Sequence, residues 1–515
     1  MKSALNPPGP LIVLGVDAGD LGLIDRWTRD GTLPNLQAVR EAGVWASLDG
    51  IRDFNSFSVW PSFATGATAS DHGYYSHMQL APSTYTLMAT NAHDHMRIKP
   101  WWTQLSNPEL RACIFDVPKV SPCPGVNGIQ ILEWGAKSPA DNPRSDPPEL
   151  VAEFKRRYGI HQGSLLDEDI TESPAYFRRL LHALLESVRL RTRICLDLMQ
   201  QEDWDLFVHV FSETHSVGHR FMHFFEGDKS RGLGHDLAEL RDAVRLVYQE
   251  VDRGIGIIRA AAPDNATLIS CAMHGMGLNE NSEVSELLPE LLRRYSSIEG
   301  TGHTSRYQQA RSKLFLAAHT LTPGIVRDKV KHRMSQGMRK RLRMERQRRI
   351  HDQQRWQDMK AFSLPSDEGG FVRINLRGRE PGGRVLEEEY QQTIAELVDI
   401  FLELYDPSTG TPAVRRVRRV AEQQTGEHLA ALPDLVVEWS EESLRELASP
   451  RFGHLGRYHP HRAGTHRPRG YFTACGPGVS AGTVIEGGSV FDIPPSILSL
   501  LGEPMQSQCV GRPLL

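Results

Sequence analysis

The feature that most constrains this chain is an alternation of short apolar runs with longer segments of helical period. The apolar runs are rich in Val, Ile, Leu and Phe, which is typical of strands buried on both faces of a parallel sheet. Helical segments lie between them, and this order predicts a doubly wound α/β fold, with a mostly parallel central sheet and helices on both faces. The predicted strands are 11–16, 111–115, 206–211, 267–272, 435–439 and 471–474, and the predicted helices are 36–42, 176–199, 237–262 and 387–404.

Composition excludes several other classes of protein. The chain has 515 residues, of which 40% are hydrophobic and 24% are charged, and its net charge is −4. These values are ordinary for a globular protein, so they argue against a disordered chain, a collagen-like fibre and a charge-driven nucleic-acid binder. The six cysteines are far apart and form no C-x-x-C pair, so neither a disulfide framework nor a zinc knuckle is predicted.

The sequence also carries an expectation about location. Widely spaced cysteines fit a reducing compartment. The first apolar run, 11–16, is too short for a signal peptide, and no run approaches the ~20 apolar residues that cross a bilayer. We therefore expect a soluble, cytoplasmic protein with no membrane partner, and the sequence leaves its oligomeric state open.

One basic segment departs from the average composition. Residues 327–349 contain eleven Lys or Arg residues against two acidic residues. Such a segment fits either a patch for an anionic partner, nucleic acid included, or a solvated helical insertion. The acidic balance of the whole chain and the lack of interleaved aromatic residues favour the insertion, so nucleic acid is not the expected partner.

Polar residues follow two of the predicted strands, where α/β sheets bind their ligands. Asp17 comes directly after the first strand, among small residues that leave room for an ion. The alternative for an Asp here is to cap the next helix, a role that Asp20 fits better. His215 and His219 follow the strand 206–211 at positions i and i+4, so on a helix both imidazoles can hold one metal. The alternative is a pair of surface or core histidines.

Two further histidines lie beside predicted strands. His274 follows the strand 267–272, and His466 precedes the strand 471–474. Each lies near glycine, where the backbone can approach a ligand closely. Taken alone, each is typical of an ordinary loop histidine.

A serine-rich segment begins at Asn55. Ser56 and Ser58 stand at the start of a predicted helix. Hydroxyl groups there are well placed as nucleophiles, because the unpaired backbone N–H groups of a helix start bind phosphate oxygens. The alternative is that these serines are helix caps.

The order of these features resembles the alkaline phosphatase superfamily, in particular its type I phosphodiesterase and nucleotide pyrophosphatase branch. The segments 375–381, 491–498 and 511–514 are similar to further motifs of that family. The matching positions are Asp17, Ser56 (nine residues before Thr65-Gly66 and upstream of His72-Gly73), His215 with His219, His274, and His466.

The resemblance implies a single alkaline phosphatase-like catalytic domain over 1–515. It covers 11–80, 205–280 and 370–515 well. The remainder would be a cap or insertion at 85–200 and a basic helical insertion at 300–365.

The implied activity is metal-dependent hydrolysis of phosphate esters, of phosphodiester or pyrophosphate type, with a small-molecule ester as substrate. The family pattern implies one or two divalent ions, commonly zinc. Ser56 would be the nucleophile, forming a covalent phosphoseryl intermediate that water then hydrolyses.

Asn55 and Ser58 lie near this nucleophile, so we expect them to bind the substrate's phosphoryl oxygen, and Ser58 stays open as an alternative nucleophile. The resemblance also implies the metal ligands. One ion site would take His215, His219 and His466, and the other would take Asp17, His274 and the oxygen of Ser56.

Two positions depart from the family pattern, because His215 and Met273 both stand where the family has Asp. A histidine keeps a ligand, and three neutral imidazoles remain a good zinc set. A thioether is a soft neutral ligand that suits copper(I) far better than zinc or magnesium. The second site therefore keeps the carboxylate of Asp17 but lacks the one that the family has at position 273. One of three neighbours would have to replace it, namely Glu213, Cys271 or Glu280.

These departures leave a second hypothesis open. A member with altered metal sites could act without hydrolysis, as a group transferase or a metal-poor binding protein, or it could act on a different ester. Metal content separates the two hypotheses, since a working site must hold its metal.

Overall fold

The structure is a computed structural model. It describes residues 9–51, 54–92, 96–135, 143–163, 173–226, 238–298, 353–366, 369–458 and 462–515. Only the backbone is described at residues 55, 56, 238, 282, 283, 298, 353 and 354. The basic segment 327–349 and most of the predicted insertion 300–365 lie outside the described residues.

Strands and helices alternate along most of the described chain. The strands are β1 (Leu11–Val16), β2 (Val44–Asp49), β3 (Met78–Leu80), β4 (Leu87–Ala89), β5 (Ala112–Phe115), β6 (Gly128–Leu132), β7 (Arg144–Asp146), β8 (Leu206–Phe211), β9 (Thr267–Ala272), β10 (Gly275–Leu278), β11 (Ala361–Leu364), β12 (Gly370–Ile374), β13 (Val414–Arg419), β14 (Leu435–Trp439), β15 (Glu446–Ser449), β16 (Gly453–Arg457), β17 (Gly464–Arg467), β18 (Arg469–Cys475) and β19 (Thr483–Ser489). The α-helices are α1 (Leu21–Arg29), α2 (Pro34–Glu41), α3 (Asn55–Thr65), α4 (Ala69–His72), α5 (Leu150–Tyr158), α6 (Pro174–Met199), α7 (Glu213–Phe225), α8 (Ala243–Ala261), α9 (Leu288–Ile298), α10 (Glu387–Leu402) and α11 (Ile493–Leu500).

The central sheet has nine strands in the order β19-β2-β18-β9-β1-β8-β5-β6-β7. Its middle strands, β9, β1, β8, β5 and β6, are all parallel, and β18 and β7 run antiparallel to their neighbours. In β1, Val16 pairs with Phe211 and Gly15 pairs with Cys271. The carboxyl ends of β8, β1 and β9 therefore meet at one edge of the sheet.

Helices cover both faces of this sheet. Side chains of a strand alternate between the two faces. Ile12 and Leu14 of β1 belong to the apolar core that includes α1, α2, α6 and α8. Leu11 and Val13 belong to the opposite core, which includes α3 and α11. The predicted fold class, a mostly parallel sheet with helices on both faces, is confirmed.

A second sheet differs from the prediction. β11, β12, β14 and β13 form a four-stranded antiparallel sheet that shares a separate apolar core with α9 and α10. The predicted strand 435–439 exists as β14, but it lies in this sheet and not in the parallel one. The predicted strand 471–474 lies in the central sheet but is antiparallel. A run of apolar residues indicates that a strand is buried. It does not indicate which strand pairs with it or in which direction, and this explains both differences.

The stretch 85–200, predicted as a cap or insertion, contributes to the central sheet as well. It supplies β5, β6 and β7, and it supplies α6, which packs on one face of the sheet. Among the described residues, no helix is long and apolar enough to cross a membrane.

Candidate active site

The turn after β1 presents Asp17 at the carboxyl edge of the sheet. The Asp17 N–H donates to the Phe211 carbonyl at 2.8 Å, and the Thr214 hydroxyl donates to the Asp17 carbonyl at 2.6 Å. Ala18 follows with a φ of 55°, a left-handed conformation that turns the chain sharply. Asp20 then caps α1 by accepting from the Leu23 N–H at 3.0 Å, as predicted. Asp17 is thereby left to face the site.

His215 and His219 lie one turn apart on α7, which begins directly after β8. Both side chains are buried, and their ring centroids are 4.6 Å apart. The Nδ1 of His219 lies 2.8 Å from the Gly464 carbonyl oxygen. A carbonyl oxygen can only accept, so Nδ1 carries the proton and the lone pair of this imidazole is on Nε2. Metal-binding histidines in proteins are oriented by this kind of bond.

His466, which follows His215 by 251 residues in the sequence, lies on β17 beside the two histidines of α7. Its Nε2 lies 2.8 Å from the Nε2 of His215, and its ring centroid lies 4.7 Å from that of His219. The close approach of β17 to α7 requires glycine, because a Cβ on Gly464 would lie 2.2 Å from the Gly218 carbonyl oxygen.

The three imidazoles fit a zinc ion. Their ligand atoms all lie within 4.8 Å of one another. Tetrahedral zinc with Zn–N bonds of about 2.0–2.1 Å places its nitrogen ligands about 3.3 Å apart. A small adjustment of the rings therefore suffices, and a catalytic zinc site commonly has three protein ligands and one open position.

His274 and Asp17 lie beside this group. The His274 ring centroid is 4.9 Å from that of His466 and 6.2 Å from that of His215. The His274 Nε2 lies 3.7 Å from Oδ1 of Asp17, and this oxygen also accepts the Trp60 indole N–H at 2.8 Å. The structure therefore brings the five predicted metal ligands, which come from four separate parts of the chain, into one cluster.

α3 reaches the cluster through Trp60. Asn55 and Ser56 lie in the first turn of α3, and the structure describes only their backbone. Ser58 is fully buried, and its hydroxyl donates to the Phe54 carbonyl at 2.6 Å. The Ser58 hydroxyl is thus committed to the helix backbone.

Two of the predicted replacements for the missing carboxylate, Cys271 and Glu213, are held in other surroundings. Met273 and Cys271 are buried in the apolar core around α3, and burial raises the pKa of the Cys271 thiol to about 12. Glu213 pairs with an arginine, as described next.

A buried ion network that sequence reasoning missed lies next to the start of α7. Arg191 of α6 is fully buried and pairs with Asp116, at the end of β5, and with Glu213 at 2.7 Å. Glu213 also contacts the His161 Nε2 at 2.8 Å. Burial by itself would raise the pKa of Glu213, but Arg191 and His161 outweigh it and hold that pKa at about 2. Nothing in the spacing of these residues indicates that they meet.

The fold and this cluster define a class of protein. A mostly parallel sheet with helices on both faces, and with histidines and an aspartate at the carboxyl edge of its strands, is the arrangement of alkaline phosphatase-like enzymes. The chain belongs to the type I phosphodiesterase / nucleotide pyrophosphatase family, whose model matches residues 11–445. The predicted resemblance is confirmed, and the family is one of phosphate-ester hydrolases.

Solved structures share this fold. Murine ectonucleotide pyrophosphatase / phosphodiesterase 5, in an inactive form with AMP, aligns with a TM-score of 0.50 at 11% identity over 97% of this chain and 96% of that one. Phosphonoacetate hydrolase from Sinorhizobium meliloti 1021, with phosphonoformate, aligns with a TM-score of 0.50 at 13% identity over 96% of each chain. Comparison with curated proteins gives no match. The alkaline phosphatase-like fold is therefore confirmed, and the roles of individual residues stay predictions.

Proposed function

We propose that the protein hydrolyses phosphodiester or pyrophosphate-type substrates with the help of a divalent metal ion. The observation that supports this proposal is the convergence of His215, His219 and His466, with ligand atoms within 4.8 Å of one another. Three imidazole nitrogens suit zinc. When bound, the ion supplies Lewis acidity, which stabilises the negative charge that develops on phosphoryl oxygens.

The chain's own residues hold the reacting groups. His219 is oriented by the Gly464 carbonyl, so its Nε2 lone pair can act as a ligand. Phe54, which precedes α3, has no side-chain oxygen to cap the helix. The N–H groups of the first turn of α3 can therefore bind a phosphoryl oxygen.

Ser56, in that first turn, is the proposed nucleophile. Its Oγ forms a bond to phosphorus while the bond from phosphorus to the leaving-group oxygen breaks, and the hydroxyl proton leaves with the solvent or the departing oxygen. Water then attacks the phosphoseryl group and releases Ser56. Asn55 is proposed to hold a phosphoryl oxygen from the same turn.

Turnover of an activated aryl phosphodiester tests this proposal. Ser56→Ala removes the nucleophile and is expected to lower kcat by more than about 1,000-fold. Ser58→Ala is the matched control, because Ser58 lies two residues from Ser56 on the same helix and its hydroxyl donates to the Phe54 backbone carbonyl. It should keep kcat within a few-fold. Full activity in Ser56→Ala would remove Ser56 from the mechanism, and loss only in Ser58→Ala would transfer the role to Ser58.

A further inference from the structure

We infer that Lys119 is a specificity-determining residue, which binds a second anionic group of the substrate beside the reacting phosphoryl group. In a pyrophosphate-type substrate, that second group is the next phosphoryl unit. The role rests on the proposed function, because the first turn of α3, with Ser56, is taken as the place of the reaction. It decides between the two substrate types that the proposed function leaves open, in favour of pyrophosphate-type substrates.

Lys119 lies in the loop that follows β5, at the edge of the sheet where the candidate ligands meet. Phe115, the last residue of β5, pairs with His209 of β8 in a parallel register. β8 leads directly into α7, which carries His215 and His219. Because neighbouring parallel strands end at the same edge of a sheet, the loop after β5 and the start of α7 are neighbours.

The ammonium group of Lys119 lies beside the first turn of α3. Its Nζ is 4.8 Å from the ring centroid of Phe57, and Phe57 directly follows Ser56 in the sequence. Phe57 stands three residues before Trp60, so these two side chains lie on the same side of the helix. Trp60 in turn donates to Asp17 of the candidate metal cluster. Lys119 therefore brings a positive charge next to the proposed place of the reaction.

Buried carboxylates hold the backbone of this loop. Lys119 has a φ of 57° and Asp116 has a φ of 60°, which are left-handed conformations uncommon for residues other than glycine. The Lys119 N–H donates to the carboxylate of Glu133, which follows β6. The Asp116 carboxylate accepts the Gly135 N–H at 2.8 Å and pairs with Arg191. These contacts fix the backbone from which the Lys119 side chain extends.

An ammonium group at this position suits an anionic group of the substrate. Lysine carries a compact charge on a flexible stem and is a common phosphate-binding residue. It has three N–H donors, so Lys119 can contact a substrate oxygen and keep its contacts within the protein. Lys119 meets α3 at the Phe57 ring, to the side of the N–H groups proposed to bind the reacting phosphoryl oxygen. Its partner is therefore the anionic group next to the reacting one.

Two substrates with the same thymidylyl group test the role of Lys119. Hydrolysis of thymidine 5′-triphosphate releases pyrophosphate, whereas hydrolysis of thymidine 5′-p-nitrophenyl phosphate releases p-nitrophenol, which carries no phosphoryl group. Lys119→Met removes the charge and keeps a long side chain. We expect it to lower kcat/KM for the triphosphate by about 10- to 100-fold, because a hydrogen bond between charged groups is lost. For the aryl diester, kcat/KM should change by less than about threefold.

Lys155→Met is the matched control, at an exposed lysine on α5. It should leave kcat/KM for both substrates at the wild-type value. Circular dichroism checks that each variant is folded. A loss for the triphosphate in Lys155→Met as large as that in Lys119→Met would overturn the role of Lys119.

The outcomes separate the role of Lys119 from the proposed function. Equal losses for the two substrates in Lys119→Met, or no loss for the triphosphate, would overturn that role and leave the proposed function intact. A wild type that hydrolyses only the aryl diester would do the same. A wild type that hydrolyses neither substrate would overturn both proposals.

Discussion

His209 and His215 lie six residues apart, but the fold gives their imidazoles opposite surroundings. The ring of His209 stacks on Phe115 at 4.8 Å and meets the edge of Phe211 at 4.6 Å. His215 meets other imidazoles. Burial lowers the pKa of His209 to about 3, because the apolar surroundings disfavour the imidazolium. At the scale of one residue, the same side chain is a core aromatic in one place and a potential ligand in the other.

This burial predicts acid sensitivity. Because the pKa of His209 is about 3 when folded and 6.5 when unfolded, the unfolded state binds more protons between these values, and stability falls as the pH drops below 6.5. His209→Phe removes the imidazole that binds this extra proton in the unfolded state. We expect the loss of unfolding free energy between pH 7.5 and pH 5.0 to shrink by about 2 kcal/mol. Urea unfolding at the two pH values, with chelator present, measures it.

The exposed His182 on α6 is the control for this measurement. His182→Gln should leave the pH dependence of the wild type unchanged. If His209→Phe also left it unchanged, His209 would not be the group that makes the fold sensitive to acid.

At the scale of elements, α6 connects the sheet to the helix that carries the candidate ligands. Its helical period is clear in the sequence, and the predicted helix 176–199 is confirmed as α6. Its buried face carries Arg191, which joins Asp116 at the end of β5 to Ser212 and Glu213 at the start of α7. Arginine is usually exposed, so its residue type alone would place Arg191 on the solvent-facing side of α6.

The network predicts a large difference between two arginines of one helix. Arg191→Met leaves Asp116 and Glu213 buried without their cation, so we expect the free energy of unfolding to fall by about 3–5 kcal/mol. Arg189→Met is the matched control, because Arg189 is exposed and pairs with Glu186 and Glu250 at the surface. Its effect should stay within about 1 kcal/mol. Equal effects in urea unfolding would show that the buried network adds no stability.

At the scale of the whole molecule, the candidate metal site joins distant parts of the chain. His215 and His219 belong to α7, and His466 belongs to β17 in a small two-stranded sheet with β10. An ion at this point would connect them directly. The basic insertion at 300–365, the cytoplasmic location and the group-transferase alternative stay predictions, whereas the stretch 85–200 is more than a cap or insertion because it supplies three strands of the central sheet.

Ligand linkage predicts that zinc stabilises the fold. An ion that binds only the folded state raises the free energy of unfolding by about 2.7 kcal/mol at 100 times its Kd. The Tm of the stripped protein should therefore rise with zinc concentration, whereas the Tm of His219→Ala should not respond. His454→Ala, at an exposed histidine, should respond like the wild type. A wild-type Tm that zinc leaves unchanged would contradict a metal site at the three imidazoles.

The sequence by itself determined the buried strands, the long helices, the helix cap at Asp20 and the order of the family's motifs. Burial, period and capping are local properties, so a short stretch of chain carries them. Motif order also pointed to the five clustered ligands, although no local rule places Asp17 near His466.

Only the tertiary structure decided which sheet β14 joins, that Arg191 is buried, and that Trp60 donates to Asp17. Each of these depends on a partner far away in the chain, and side-chain type does not specify that partner. The same holds for the burial of Met273 in the apolar core and for the pairing of Glu213 with Arg191.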